Sequence, residues 1–174
     1  GAAWDGEVED YKLQIVRGLD FGDAPEPDYS TLLQNPLDPS SDDPGPHHLI
    51  TGLMLGTKID AEPDGQPHPH AMGDDLLDGN DDEDGVWFLT PLVPGEEATV
   101  KVVSSEVGYL NAWIDFRGDG DWDDPGEHVI VDFTTSGGGA ADVISFTVPA
   151  YAAAGSLTFA RFRLSSYDYA DDAL

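Results

Sequence analysis

The sequence predicts an all-β fold, an antiparallel β-sandwich or jelly roll with long Asp-rich loops and an N-terminal strand arm. Three observations predict it. Short segments alternate apolar and polar residues or are rich in β-branched and aromatic ones, no segment shows a helical period, and Gly, Pro and Asp stretches punctuate the chain. Short strands with such punctuation are how antiparallel sandwiches read in sequence.

Residues 7–16 come first. Glu7, Glu9, Tyr11, Leu13 and Ile15 point one way, and Val8, Asp10, Lys12, Gln14 and Val16 the other, as expected of a half-buried strand. This strand forms an arm, residues 1–18, ahead of a body spanning 19–174. Within the body, strands are expected at 48–55, 85–89, 98–105, 108–116, 128–133, 142–148 and 156–165. In the last of these, Thr158, Ala160, Phe162 and Leu164 share one face, and Leu157, Phe159, Arg161 and Arg163 share the other. Such a strand belongs to a sheet packed on both sides or to a rim. The loops 23–46 and 60–84 are too long to be plain connections, because a loop beyond ~15 residues usually has a function or needs a ligand to order it.

Composition narrows the partners. Lys and Arg number 7 against 35 Asp and Glu, a net charge of −28, so nucleic acid and anionic membrane surfaces are repelled. Four Trp, six Tyr and seven Phe distinguish the chain from a disordered acidic tail. No apolar run approaches the ~20 residues of a membrane-spanning helix, and no signal peptide precedes Gly1, so the chain reads as mature or trimmed. Without Cys it has no disulfides.

Of the 35 acids 26 are Asp, and they bunch between the expected strands. A halophile's solvated coat would spread acids over all exposed faces instead. The turn Asp115-Phe116-Arg117-Gly118-Asp119-Gly120-Asp121-Trp122-Asp123-Asp124-Pro125-Gly126-Glu127 sets carboxylates at alternate positions around glycines, as a calcium loop does. Arg117 and Gly126 break the EF-hand pattern. Asp119, Asp121 and Asp123 are therefore the alternating set, with Asp115 entering from the strand before and Glu127 closing the turn. The alternative is a hairpin turn whose acids are only solvated. A second constellation, Asp60, Glu62, Asp64, Asp74, Asp75, Asp81, Asp82 and Asp84, crowds one loop with charges that a divalent cation would relieve. About half of these acids are expected to meet metal and the rest to cap turns.

Several motifs taken together resemble the GEVED domain, a β-rich module of secreted and cell-surface bacterial proteins. They are Gly6-Glu7-Val8-Glu9-Asp10-Tyr11, Asp20-Phe21-Gly22-Asp23-Ala24-Pro25, Asp60-Ala61-Glu62-Pro63-Asp64-Gly65-Gln66-Pro67, Asp82-Glu83-Asp84-Gly85-Val86 and Ala160-Arg161-Phe162-Arg163-Leu164-Ser165. The resemblance runs from Asp20 to Ser165. It implies an extracellular, calcium-associated module and no catalysis. In that family the first of these motifs comes last; here it comes first.

If the fold needs that strand after the 160–165 strand, the body has an open sheet edge, which is a template for another strand. The arm then folds back on its own body, closes a preceding repeat of an array, or enters a neighbouring subunit. The short hinge at Arg17, Gly18 and Leu19 favours donation to a neighbour or its covalent equivalent in an array, a head-to-tail contact that builds filaments. Glu7 and Glu9 on the buried side need a partner, either calcium or Arg161 and Arg163.

His47, His48, His68 and His70 lack Cys partners, and Pro69 restrains the second pair, so they read as loop histidines and not a zinc site. No nucleophile elbow, catalytic triad order or phosphate loop is present, so no enzyme is expected. Trp87 is expected in the core and Trp122 over its own acidic turn. The sequence thus predicts an extracellular calcium-binding structural or adhesive module that associates with copies of itself. A calcium-structured lectin-like module, stacking cell-surface or matrix polysaccharide on Trp4, Trp87, Trp113 and Trp122, is the alternative.

Overall fold

A computed structural model describes residues 18–33, 45–73 and 83–168 of the chain. Among the described residues there is no helix, and eight strands follow in order: β1 Leu19–Phe21, β2 His47–Leu49, β3 Val86–Phe88, β4 Glu97–Val103, β5 Tyr109–Ile114, β6 His128–Thr134, β7 Ala141–Thr147 and β8 Ala160–Ser165. Every pairing is antiparallel. β1 and β2 form a ribbon, β3-β4-β7 one sheet and β6-β5-β8 another.

Alternation decides which side chains meet. In β4, Ala98, Val100 and Val102 are fully buried while the residues between them face outward. They pack with Ile144 and Phe146 of β7, Leu110, Ala112 and Ile114 of β5, and Leu164 of β8 in one hydrophobic core that draws on both three-stranded sheets. Fully burying a Val, Leu, Ile or Phe side chain is worth roughly 1.5–3 kcal/mol, which makes this cluster the main stabilising feature.

The outer face of β5 is buried as well. Trp113 joins Ala24, Tyr29 and Trp122 in a second cluster, with Phe159 packed against it. Asn111 is buried on the same face, where its carbonyl accepts from the Asp132 amide and bonds His128 Nε2 at 2.8 Å, while its amide donates to Asp132 Oδ1. That clamp holds Asp132 at a φ of 44° in the irregular β5–β6 pairing.

Three features differ from the sequence expectation. The 48–55 segment makes only the three-residue β2 followed by an isolated bridge from Leu55 to Ser104. β1 was not expected, being too short to show a period. Trp87 is not a core residue. The register pairs Val86 with Val102 and Phe88 with Val100, which turns Trp87 to the outer face beneath the Lys101 ammonium, 3.5 Å from the ring centroid, with 41% of its surface exposed. The 7–16 strand lies outside the described residues.

The same register exposes a gap. Phe88 and Phe162 both point inward, toward Val100 and Ala112 respectively, and meet edge to face at 6.1 Å. Phe88 is nevertheless 46% exposed. β3 and β8 are both edge strands, so among the described residues nothing closes the core between them.

Candidate functional site

The acidic turn between β5 and β6 is built from inside by two carboxylates. Asp115 extends β5, is fully buried, and accepts from the Gly118 amide at 2.5 Å, the Gly120 amide at 3.0 Å and the Tyr29 hydroxyl at 2.6 Å. Burial pushes its carboxyl up, but these donors outweigh burial and hold it below the ordinary range. Glu127, also fully buried, accepts from the amides of Phe116, Arg117 and Asp124. For Glu127 burial wins, and with the Asp115 charge it raises the carboxyl despite the amides.

Glycines make the turn possible. Gly118, Gly120 and Gly126 have φ of 70°, 94° and 99°, a left-handed region that side chains disfavour. The outside of the turn is acidic: Asp119, Asp121 and Asp123 are exposed, and Asp121 accepts from the Asp123 amide at 3.0 Å. Arg117 pairs with Asp124 at 2.5 Å. Asp119 is pushed up by partial desolvation and by the charges of Asp121, Asp115 and Asp124.

The remaining predicted ligands lie at other places in the fold. Glu62 is buried, hydrogen-bonds Phe21 N through Oε2, and gives its own amide to Leu19. Burial, then a hydrogen bond with Asp60 and the charge of Asp20, push its carboxyl well above the usual range. Asp64 caps a turn by accepting from Leu33 and Gly65 amides. Asp84 accepts from the Thr57 amide and hydroxyl; with Lys58, those bonds hold it below the ordinary range against a desolvation that raises it. Asp74, Asp75, Asp81 and Asp82, and the arm residues Glu7, Glu9, Tyr11, Leu13 and Ile15, lie outside the described residues.

Among the described residues no three acidic or His side chains converge as a metal-holding group. The inward oxygens of Asp115 and Glu127 take N–H and O–H donors, and Asp119, Asp121 and Asp123 sit on the exposed rim. This arrangement does not present three carboxylates to one cation. Asp64, Asp84 and Asp115 each accept hydrogen bonds from nearby amides or hydroxyls.

The arginines of β8 serve the outer layer. Arg161 is buried, donates to Ser30 O at 2.9 Å and lies over the Trp122 ring at 4.2 Å, with burial pushing its guanidinium down to about 10. Arg163 Nε donates to His48 Nε2 at 3.1 Å. An arginine has no acceptor, so this imidazole is neutral. Burial and then the Arg163 charge push it down to about 4. His47 stacks on Phe21 at 5.3 Å, and His70 donates its amide to His68 Nδ1. Sequence reasoning missed Tyr29, Glu26 and Asp23. Glu26 caps the amides of Thr31 and Leu32, and Asp23 accepts from Gly73. Partners 5 to 86 positions away leave no local pattern to find.

The fold and site thus define an all-β antiparallel module carrying an acidic turn that is locked from within by buried carboxylates. Residues 109–173 match the GEVED domain, so the part of the chain from β5 onward, acidic turn included, is similar to that family. The 60–86 motifs and Gly6 to Tyr11 lie outside the matched span. No curated protein and no solved structure matches the chain.

Proposed function

We propose that this chain is an extracellular structural or adhesive module, a calcium-associated β-sandwich whose units are linked head-to-tail by donation of the 7–16 strand. One observation carries the reading. β8, a strand within the span similar to the GEVED domain, pairs with β5 alone among the described residues. The 7–16 segment has the alternation of a strand suited to one buried side. Deleting residues 1–18 is expected to abolish assembly in size-exclusion chromatography and lower stability; a truncated chain that assembles normally would overturn the proposal.

Calcium enters through the exposed acids Asp119, Asp121 and Asp123 and the acids of the 60–84 loop, whose mutual repulsion a divalent cation lowers. Extracellular calcium modules bind at ~10⁻⁴–10⁻³ M. Free calcium at ~100 times the dissociation constant adds ~2.7 kcal/mol per site to the folded state. Calcium is therefore expected to raise the melting temperature and EGTA to reverse the rise. A melt indifferent to both leaves a solvated acidic coat. The exposed Trp87 favours one second reading, a carbohydrate-stacking face, which glycan-array binding lost in Trp87→Ala would support.

A further inference from the structure

We infer that the gap between the edges of β3 and β8 is an acceptor slot for an extended strand, and that its occupant is the 7–16 segment of a second copy, running antiparallel to β8. This rests on the strand-donation reading and adds the site, the direction and the source of the strand.

The slot is defined by inward-facing apolar groups that nothing among the described residues covers. Phe88 is 46% exposed although its register partner Val100 is fully buried, and Phe162, partly buried, meets it from the facing sheet. A strand beside β8 would gain edge hydrogen bonds that no described strand takes and set alternate side chains against both rings. Alternation selects Tyr11, Leu13 and Ile15 for that side. The same alternation puts Glu7 and Glu9 on the slot side of the donor, opposite the β8 face that carries Arg161 and Arg163. Pairing those acids with these arginines is therefore not part of the docking.

Direction follows from where the arm leaves the body. Gly18 O accepts from Ile50 N, and Gly52 O from Ser105 Oγ, in the turn that leads into Tyr109, the register partner of Ser165. Gly18 therefore emerges at the Ser165 end of β8. At the other end of β1, a Cβ on Gly22 would lie 3.7 Å from Arg161 Nε, so β1 runs opposite to β8. An antiparallel 7–16 strand of the same chain would put Val16 beside Ala160. Two residues reach at most ~7 Å, whereas β8 is ~20 Å long, so Gly18 is out of reach. The chain's own arm fits beside β8 only in parallel. All described pairings are antiparallel, and antiparallel pairs are the more stable per residue. A second copy supplies that direction.

The chain has no Cys, which makes engineered disulfides unambiguous. In the full chain, Val8→Cys with Tyr167→Cys, at an exposed position just past β8, is expected to give a ladder of disulfide-linked oligomers on a non-reducing gel. Adding Phe88→Asp, with an unchanged circular dichroism spectrum, should weaken the ladder at least tenfold. Val8→Cys with Leu157→Cys, beyond the opposite end, reports the parallel arrangement; an intrachain disulfide in that monomer would overturn the inference. So would the absence of both crosslinks in a wild-type background that assembles and depends on residues 1–18. In that case donation stands and the slot is misassigned, whereas a wild-type chain that never assembles removes the donation reading itself.

Discussion

Replacing His48 by Gln should make the protein more acid-tolerant, because Gln Oε1 can still accept from Arg163 Nε but does not titrate. The wild-type ring is pushed down to about 4 from 6.5. A histidine with a depressed folded value contributes stability that is present above pH 6.5 and is lost as pH falls toward 4. At ~1.36 kcal/mol per pH decade the loss is bounded at about 3 kcal/mol. Incomplete burial of the ring lowers the expected loss to about 2 kcal/mol. Urea unfolding of both proteins at pH 7, 5.5 and 4 measures it. The difference in stability between His48→Gln and wild type should rise by about 2 kcal/mol from pH 7 to 4, and taking the difference cancels the carboxylates that both proteins share. A difference independent of pH would refute the neutral-acceptor assignment. It would mean that Arg163 does not need the imidazole lone pair to hold the β1–β2 ribbon against β8.

Two further predictions concern the carboxylates. Tyr29→Phe removes a hydrogen bond to the buried Asp115 carboxylate and is expected to cost about 1.5–3 kcal/mol in denaturant unfolding. A neutral result would show that the Gly118 and Gly120 amides suffice. Glu62 has the opposite sign to His48: its folded value is raised, so its contribution is fully present below the usual carboxylate range and declines as pH rises. Glu62→Gln should therefore gain stability relative to wild type between pH 5 and 9, and a flat difference in thermal melts over that range would count against a raised Glu62 carboxyl.

Much of the fold was legible because its signals are local. Alternation in 98–105 and 142–148 placed two paired strands of the first sheet, while the double-sided character of 156–165 left two-sided packing and a rim open, and β8 lies at a sheet edge. Glycines spaced through 115–127 announced the turn. Trp87 was misplaced because alternation fixes two faces and does not say which one is the core. The register with Lys101 settles that.

The acidic turn shows the same division. Sequence alone determined that carboxylates alternate around glycines there, since composition and spacing are properties of the chain. Only tertiary structure decided which of them turn inward: Asp115 and Glu127 are surrounded by amide donors, with a tyrosine 86 positions from Asp115, while Asp119, Asp121 and Asp123 stay in water. A carboxylate enters the interior only where several donors replace its hydration, and those donors are assembled by packing between segments distant in sequence. The exposed Phe88 was likewise invisible in the sequence, because an incomplete core exists only once two sheets face each other and leave one side open.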